Sequence, residues 1–466
     1  MNSNQIPSES QGESRRSFIR KTAAAAAAVS TVNMFKTPVY GQTQAPASGR
    51  VIGANDRISM AYIGTGSRGM QHIEGHATGQ GEEKQRKYKE YVQGNNINQA
   101  AVCDLFRKRL DHAKDFLKLS EADAYTDHRR LLERKDIDAV LIATIDNWHA
   151  QCTIDALEAG KHVYCEKPMT RYLGEAFQVY DTVKRTGKVF CVGSQGCADP
   201  KWHKAAEWIK AGKLGPLVWG QGSFCRNNHP KSEWSYPEDP EATPTTLEWE
   251  RWLGKAKKIP FNREHYFSWH KYYAYNSGIL GNLLPHRFYP MMLATGNPEY
   301  PRRVACTGTR KVSTDREITD TTHALAEFPS GLTLVMAGST VNEVGLPDIL
   351  RGLKATLYFN SSQNKVELKP EKPFTEEMDA IPFEDPLPTE RTERLHKNFF
   401  DAIRTGIKPF ADIELAIRGQ VALCLAEMSE RMGLTLYYDE KTRQIKTGEG
   451  KIIPPISYDS NTPIRI

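Results

Sequence analysis

Arg57-Ile58-Ser59-Met60-Ala61-Tyr62-Ile63-Gly64-Thr65-Gly66-Ser67-Arg68-Gly69 decides how the chain folds. Residues 57–63 read as a largely apolar strand, which runs straight into a Gly-x-Gly-x-x-Gly turn. A helix then opens at Met70-Gln71-His72-Ile73. The glycine pattern alone says little, but strand, pattern and helix in direct succession predict a dinucleotide site. Glycines there allow a tight turn, close approach of a pyrophosphate and close helix–strand packing. The helix start adds free N–H groups and a positive dipole end. Gly64, Thr65, Gly66, Ser67, Arg68 and Gly69 are therefore the first expected cofactor-binding residues.

Downstream, residues 75–98 are polar, with a charged helical segment around 82–91. The next strand, Gln99-Ala100-Ala101-Val102-Cys103, ends in Asp104. An acidic residue at that strand end takes ribose hydroxyls and disfavours a 2′-phosphate, so NAD is expected. Arg107 nearby leaves NADP as the lesser option. The acidic residue usually follows the glycines by about 20 residues, and here the gap is roughly double, so the intervening segment must loop out. Helical spacing covers 105–119, and an apolar strand covers 138–144, as a parallel strand buried on both faces should be. It ends in Thr144-Ile145-Asp146-Asn147-Trp148-His149, a polar and aromatic turn, before a helix over 150–159.

His162-Val163-Tyr164-Cys165-Glu166-Lys167-Pro168 is the next strand, ending in a carboxylate, an amine and a proline. Open α/β sheets bind ligands at strand carboxyl ends, which puts Glu166 and Lys167 at a crevice mouth. Pro168 stops the strand and restricts Lys167, with a cis bond possible there. A helix over 173–186 and a strand over 189–192 lead to Gly193-Ser194-Gln195. This alternation predicts an α/β fold with a doubly wound parallel sheet, a Rossmann domain over 57–195.

After Gln195 the pattern changes. A helix is expected over 200–211, a half-wet strand over 217–225, and a tryptophan-bearing loop over 237–260. Further strands read 303–311, 323–328, 332–339, 354–359 and 365–368, with Pro329-Ser330-Gly331 as a hairpin turn. Two long helices, 392–405 and 413–432, bracket Pro409. Residues 196–466 thus read as an α+β substrate domain built on a largely antiparallel, open sheet.

Composition fits a globular protein: 466 residues, 39% hydrophobic and 25% charged. Of the net charge of +6, residues 1–41 carry five Lys/Arg against two Glu; +3 goes with them and +3 remains. No basic stripe argues for nucleic acid. Ser14-Arg15-Arg16-Ser17-Phe18-Ile19-Arg20-Lys21 followed by the alanine run 23–28 reads as a twin-arginine signal over 1–41. That run is too short and weakly apolar to anchor the chain in a bilayer. A linker over 42–56 follows, and the mature protein is expected in the periplasm or otherwise exported. The eight cysteines sit mostly in apolar runs, and no His/Cys cluster has metal-ligand spacing, so no metal is expected.

These residues together resemble the glucose–fructose oxidoreductase / inositol dehydrogenase (Gfo/Idh/MocA) family. The likeness rests on the Gly64–Gly69 loop, Asp146-Asn147-Trp148-His149, Cys165-Glu166-Lys167-Pro168 and residues 278–286, with Trp249–Gly254 and Phe410–Glu414 resembling its exported branch. The resemblance implies that Lys167 and His286, from two domains, meet at a nicotinamide. The family's aspartate four residues before the histidine is Asn282 here, which can hydrogen-bond a hydroxyl but cannot take its proton. Proton handling then falls on His286, with Lys167 polarising the reacting oxygen or sharing the proton. Thr144, Asp146, Trp148, His149, Glu166 and Gln195 would join the cofactor site; Arg226, Tyr273, Asn282, His286 and Tyr289 would meet substrate, and Trp269, His270 and Tyr272 would line the sugar site. The resemblance implies an NAD-dependent oxidoreductase acting on a sugar or glycoside hydroxyl; because free NAD is scarce in the expected periplasm, the cofactor is expected to stay bound and be recycled by a second substrate. It also implies a homo-oligomer. A rival on the same fold is an NAD-dependent glycosidase that oxidises the sugar transiently, and a third reading is a non-catalytic nucleotide-binding protein.

Overall fold

Six parallel strands carry the first half of a computed structural model that describes residues 56–228 and 233–460. The expected signal over 1–41 and nearly all of the expected linker over 42–56 lie outside the described residues. The strands are β1 (Ile58–Ile63), β2 (Ile97–Cys103), β3 (Ala124–Tyr125), β4 (Ala139–Ile142), β5 (His162–Glu166) and β6 (Phe190–Gly193). Their order, β3-β2-β1-β4-β5-β6, reverses direction at β1 and β4, as a doubly wound sheet does. Ile63 pairs with both Cys103 and Ile142, so Gly64, Asp104 and Ala143 emerge at one sheet edge. Val140, Ile142, Val163, Tyr164 and Cys165 are buried, the signature of strands covered on both faces.

Two local boundaries differ from the sequence reading. The helix after β1 begins at Ser67, inside the glycine motif, instead of Met70. The helix after β4 starts at Asp146, so Asp146 to His149 form its first turn where a loop was expected. An acid in a first turn complements the helix dipole. The looped-out segment is the helix Gly81–Gly94, which accounts for the doubled spacing to Asp104.

The second sheet has twelve strands: β7 (Leu217–Asn227), β8 (Arg303–Thr309), β9 (Thr321–Glu327), β10 (Thr333–Ser339), β11 (Val341–Asn342), β12 (Asp348–Gly352), β13 (Ala355–Phe359), β14 (Gln363–Pro370), β15 (Ile381–Pro388), β16 (Leu436–Asp439), β17 (Gln444–Thr447) and β18 (Ile452–Ile453). They run β15-β14-β13-β12-β7-β10-β9-β8-β16-β17-β18, with β11 beside β7. Only β7 and β10 pair in parallel; every other pair is antiparallel. Gly331 has φ +89° and turns the expected hairpin between β9 and β10.

The helices Pro200–Lys210, Pro285–Ala294 and Ile413–Met432 pack on this sheet, and Ile413–Met432 also packs on Leu173–Thr186 of the first half. The two halves therefore share one hydrophobic core. A buried ion pair crosses it. Arg171, three residues beyond Pro168, donates to Glu427 at 2.7 and 2.8 Å and to the Tyr273 carbonyl at 2.7 and 3.0 Å.

Candidate active site

The glycine turn is shaped by what a side chain would strike. A Cβ at Gly69 would lie 2.0 Å from the Gly64 carbonyl oxygen, and one at Gly64, whose φ is +87°, 2.6 Å from that of Ala143. Asp104 braces the turn: its Oδ2 accepts from Thr65 N at 2.7 Å and Thr65 Oγ1 at 3.2 Å, and its Oδ1 from Phe106 N at 2.8 Å. Above Gly66 lies Arg109, whose guanidinium stacks 4.9 Å from the Tyr266 ring. Arg68 turns aside from the loop to donate to Glu166 Oε1 at 2.6 Å.

A cavity of about 980 Å³ opens over this turn, at the upper end of the range of about 300–1,000 Å³ for ligand sites. Its walls include Gly64–Arg68, Asp104, Thr144 and Trp148, joined by Trp252, Tyr266, Trp269 and His270 from the second half. That aromatic segment is stitched to the first half by backbone pairing. Phe106 bridges Leu247, Arg107 N donates to Thr246 O, and Glu248 N donates to Leu105 O, the last two at 3.0 Å. Trp148 Nε1 donates to Trp252 O at 2.9 Å, and Asn147 Nδ2 to Leu253 O at 3.2 Å. His270 Nδ1 is buried there without a hydrogen-bond partner. The glycine cradle, the volume and this orphaned nitrogen fit a dinucleotide.

Beyond the cavity stands Glu166. It accepts from Arg68, from His72 Nε2 at 2.7 Å and from Lys167 N at 3.0 Å. Burial would raise its pKa, but Arg68 and His72 hold it well below the usual carboxylate range. His72 is kept neutral by burial, its pKa down to about 4. A neutral His72 that donates to Glu166 must accept at Nδ1, and His396 Nε2 lies 2.9 Å away to donate there. His396 Nδ1 in turn accepts a hydrogen bond from the Tyr91 hydroxyl at 2.9 Å. One chain of buried hydrogen bonds thus orients the glutamate from behind.

The Lys167–Pro168 peptide is cis. Lys167 Nζ donates to Asn282 O at 2.7 Å and Asn282 Oδ1 at 3.2 Å. Burial lowers the lysine pKa, opposed by the charges of Glu166 and Asp146. Asp146 is buried, accepts from Asn276 Nδ2 at 2.7 Å, and is pushed up to about 7 by burial against the pull of Lys167. His149 Nδ1 lies 2.7 Å from Pro168 O and its Nε2 3.2 Å from Thr144 O; burial keeps the ring neutral, so it donates to one of the two carbonyls, the shorter contact being the one to the lysine loop. Gln195 is buried, with Oε1 unpartnered.

His286 stands in the first turn of Pro285–Ala294, where Pro285 suits the opening helical position. Its ring lies against Phe224, centroids 5.1 Å apart, and its Nδ1 is 3.4 Å from Glu390 Oε2. Burial lowers its pKa, Glu390 opposes that, and the Lys167 charge reinforces it. Lys167, Asn282 and His286 are therefore gathered in one place from the two halves. Arg226 pairs with Glu233 at 2.5 Å, and its charge reaches Lys167.

Two expected substrate residues stand elsewhere. Tyr289 is fully buried against the helix Ile413–Met432, its hydroxyl 3.3 Å from Gln420. Tyr273 is buried with its ring 4.5 Å from Arg431 and its hydroxyl 3.5 Å from Glu430. Both are core groups: Tyr289 faces inward from the helix Pro285–Ala294, and Tyr273 is buried in the turn that follows Trp269–Lys271. Half-exposed Tyr272 stacks on His265 at 3.7 Å. Among the described residues, no cluster of His, Cys, Asp or Glu is placed to hold a metal, and the eight cysteines are free. Sequence reasoning missed Glu390, Arg109 and His396; only Arg109, one turn beyond Asp104, carried a local signal.

Residues 58–194 match the profile described as "Oxidoreductase family, NAD-binding Rossmann fold", GFO_IDH_MocA. A glycosyl hydrolase family 109 protein of Shewanella baltica is 30% identical over 224 residues, 45% of each chain. An alpha-N-acetylgalactosaminidase of Shewanella oneidensis is 27% identical over 241 residues, 47% of this chain and 49% of its own. The chain spans about half the length of the curated relatives it matches. The crystal structure of an aldose-aldose oxidoreductase from Caulobacter crescentus superposes with a TM-score of 0.60 at 18% identity, covering 82% of this chain and 99% of that one. Over residues 58–194 the chain is therefore similar to the NAD-binding Rossmann domain of the Gfo/Idh/MocA oxidoreductase family.

Proposed function

We propose that the protein is an enzyme that moves a hydride between a sugar or glycoside carbinol carbon and NAD. The observation that carries this reading is the meeting of Lys167, Asn282 and His286, with the Lys167 charge also reaching His270 in the wall of the cavity over the glycine turn. NAD held there supplies the hydride acceptor. Lys167, fixed by Asn282, places a positive charge where the substrate oxygen becomes negative. Asn282 holds the lysine and offers an amide to a hydroxyl, and His286 takes the hydroxyl proton. Asp104 beside the ribose position supports NAD over NADP.

The cofactor stays bound through turnover, so gently purified protein should contain about one nucleotide per chain. Protein that is folded but free of nucleotide, and inert toward sugars with NAD added, would refute the reading. The names of the family 109 relatives favour a second reading, in which the sugar is oxidised only transiently and the glycosidic bond is cleaved. Release of nitrophenol from a nitrophenyl glycoside without net nicotinamide reduction distinguishes it.

The twin-arginine stretch supports export to the periplasm, which cell fractionation of the tagged full chain tests. Trp219, Leu325 and Tyr358 lie exposed on strands of the second sheet and support a homo-oligomer, read by light scattering.

A further inference from the structure

Glu390 sits at the end of a polar loop between β15 and the helix Thr392–Thr405, more than a hundred residues from His286 in sequence. Its φ is +55°, a left-handed conformation that a residue with a side chain rarely adopts and that must be held by its surroundings. Two contacts hold it. Its backbone N donates to Asp199 Oδ1 at 2.8 Å, and its Oε1 accepts from Arg287 Nη1. Arg287 is braced on its other side by Asp348, 3.2 Å from its Nε. The remaining oxygen, Oε2, lies 3.4 Å from His286 Nδ1, a buried nitrogen with no hydrogen-bond partner among the described residues, so the carboxylate is the acceptor beside it.

We propose that Glu390 is the positioning residue of His286, fixing the imidazole through Nδ1 and leaving Nε2 to meet the substrate hydroxyl. This rests on His286 as the proton acceptor in the function proposed above. A neutral imidazole has one N–H, and a carboxylate beside Nδ1 claims it, so the lone pair is placed on Nε2. When the substrate O–H breaks and its proton joins Nε2, the resulting imidazolium lies beside an ionised carboxylate. Glu390 is ionised: burial would raise its pKa, but His286 and Arg287 hold it at about 2. The other charges facing the ring are Lys167 from the loop after β5 and Arg287 from the same helix, both disfavouring imidazolium. Behind Glu390 lie Asp199, Lys201 and Asp348. Glu390 is thus the carboxylate that opposes burial and two cations at His286.

The test is ¹⁵N-histidine NMR on the intact protein, with His286→Asn used to assign the signal. In the unaltered protein the His286 ring should show the tautomer protonated at Nδ1. Glu390→Gln should lower the His286 pKa by about 1–3 units, the usual effect of one adjacent charge. The acid limb of kcat/KM should move to lower pH by the same amount, and kcat should fall with KM and bound nucleotide unchanged. Glu390→Asp keeps the charge and should retain the tautomer and an intermediate limb, which also covers a Gln variant that folds poorly. An unchanged His286 titration, or an Nε2-protonated ring in the unaltered protein, overturns the proposal. Because the ring is read without turnover, an inactive protein with the expected titration would refute only the proposed function.

Discussion

Arg171→Met tests whether the ion pair across the shared core holds the two halves around the lysine loop. The guanidinium is about 1% exposed and donates twice to Glu427 and twice to the Tyr273 carbonyl. Removing one partner of a buried pair costs about 3–5 kcal/mol. Arg431, 3.0 Å from Glu427 Oε1, keeps that carboxylate partly paired, whereas the Tyr273 carbonyl loses both donors. Taking these as offsetting leaves about 4 kcal/mol. Unfolding entropy of about 2.1 cal/mol/K per residue over the roughly 400 described residues is about 0.8 kcal/mol/K. The expected fall in Tm is therefore about 5 °C by scanning calorimetry at pH 7. In Arg171→Met/Glu427→Gln the stranded charge is gone, and at least half of the loss should return. A single variant that melts unchanged, or a double variant that melts below it, refutes the reasoning.

Three further outcomes are expected. Gly69→Ala places a methyl 2.0 Å from the Gly64 carbonyl, so the turn must open and bound nucleotide should be lost, read from the absorbance ratio of purified protein. Lys167→Met should keep its nucleotide and lower kcat by about 10²–10⁴-fold in single-turnover absorbance. Glu430 is pushed up to about 7 by burial, the Thr322 hydroxyl opposing and Glu427 adding to it. A carboxyl raised above its unfolded value contributes stability that is full below the unfolded pKa and lost as pH rises through about 7. Melting curves of Glu430→Gln and the unaltered protein should therefore diverge between pH 5 and pH 8, with the variant increasingly favoured; parallel curves would rule this out.

Local patterns made the first half legible. The apolar run into Gly64, the acid ending β2 and the strand ending at Glu166 are short-range signals, and the sheet order follows from their alternation. The helices Thr392–Thr405 and Ile413–Met432 match their expected bounds because the apolar runs end at Gly406 and Gly433, both left-handed caps. β12 went unread because Asp348–Gly352 is separated from β13 by only Leu353 and Lys354. β15 is a largely exposed edge strand with three prolines, which carries no apolar alternation to read. At the site, Lys167 and His286 were readable from their motifs, but Glu390 was not. It owes its place to a turn held by Asp199 and Arg287, and no local sequence pattern encodes such contacts. Tyr273 and Tyr289 show the converse, since an aromatic near a motif gives no sign of which way it faces.

The stitching of Leu105–Arg107 to Thr246–Glu248 has a kinetic corollary. A dinucleotide lodged under that seam departs only when interstrand bonds part and the tryptophans lift together. Such an event belongs with local unfolding, which is slower than side-chain rearrangement. On the function proposed above, oxidised and reduced forms would then not trade places with a dissolved pool between cycles. Each molecule would be reset by a second reactant arriving at the same opening, with the rate law of a double displacement.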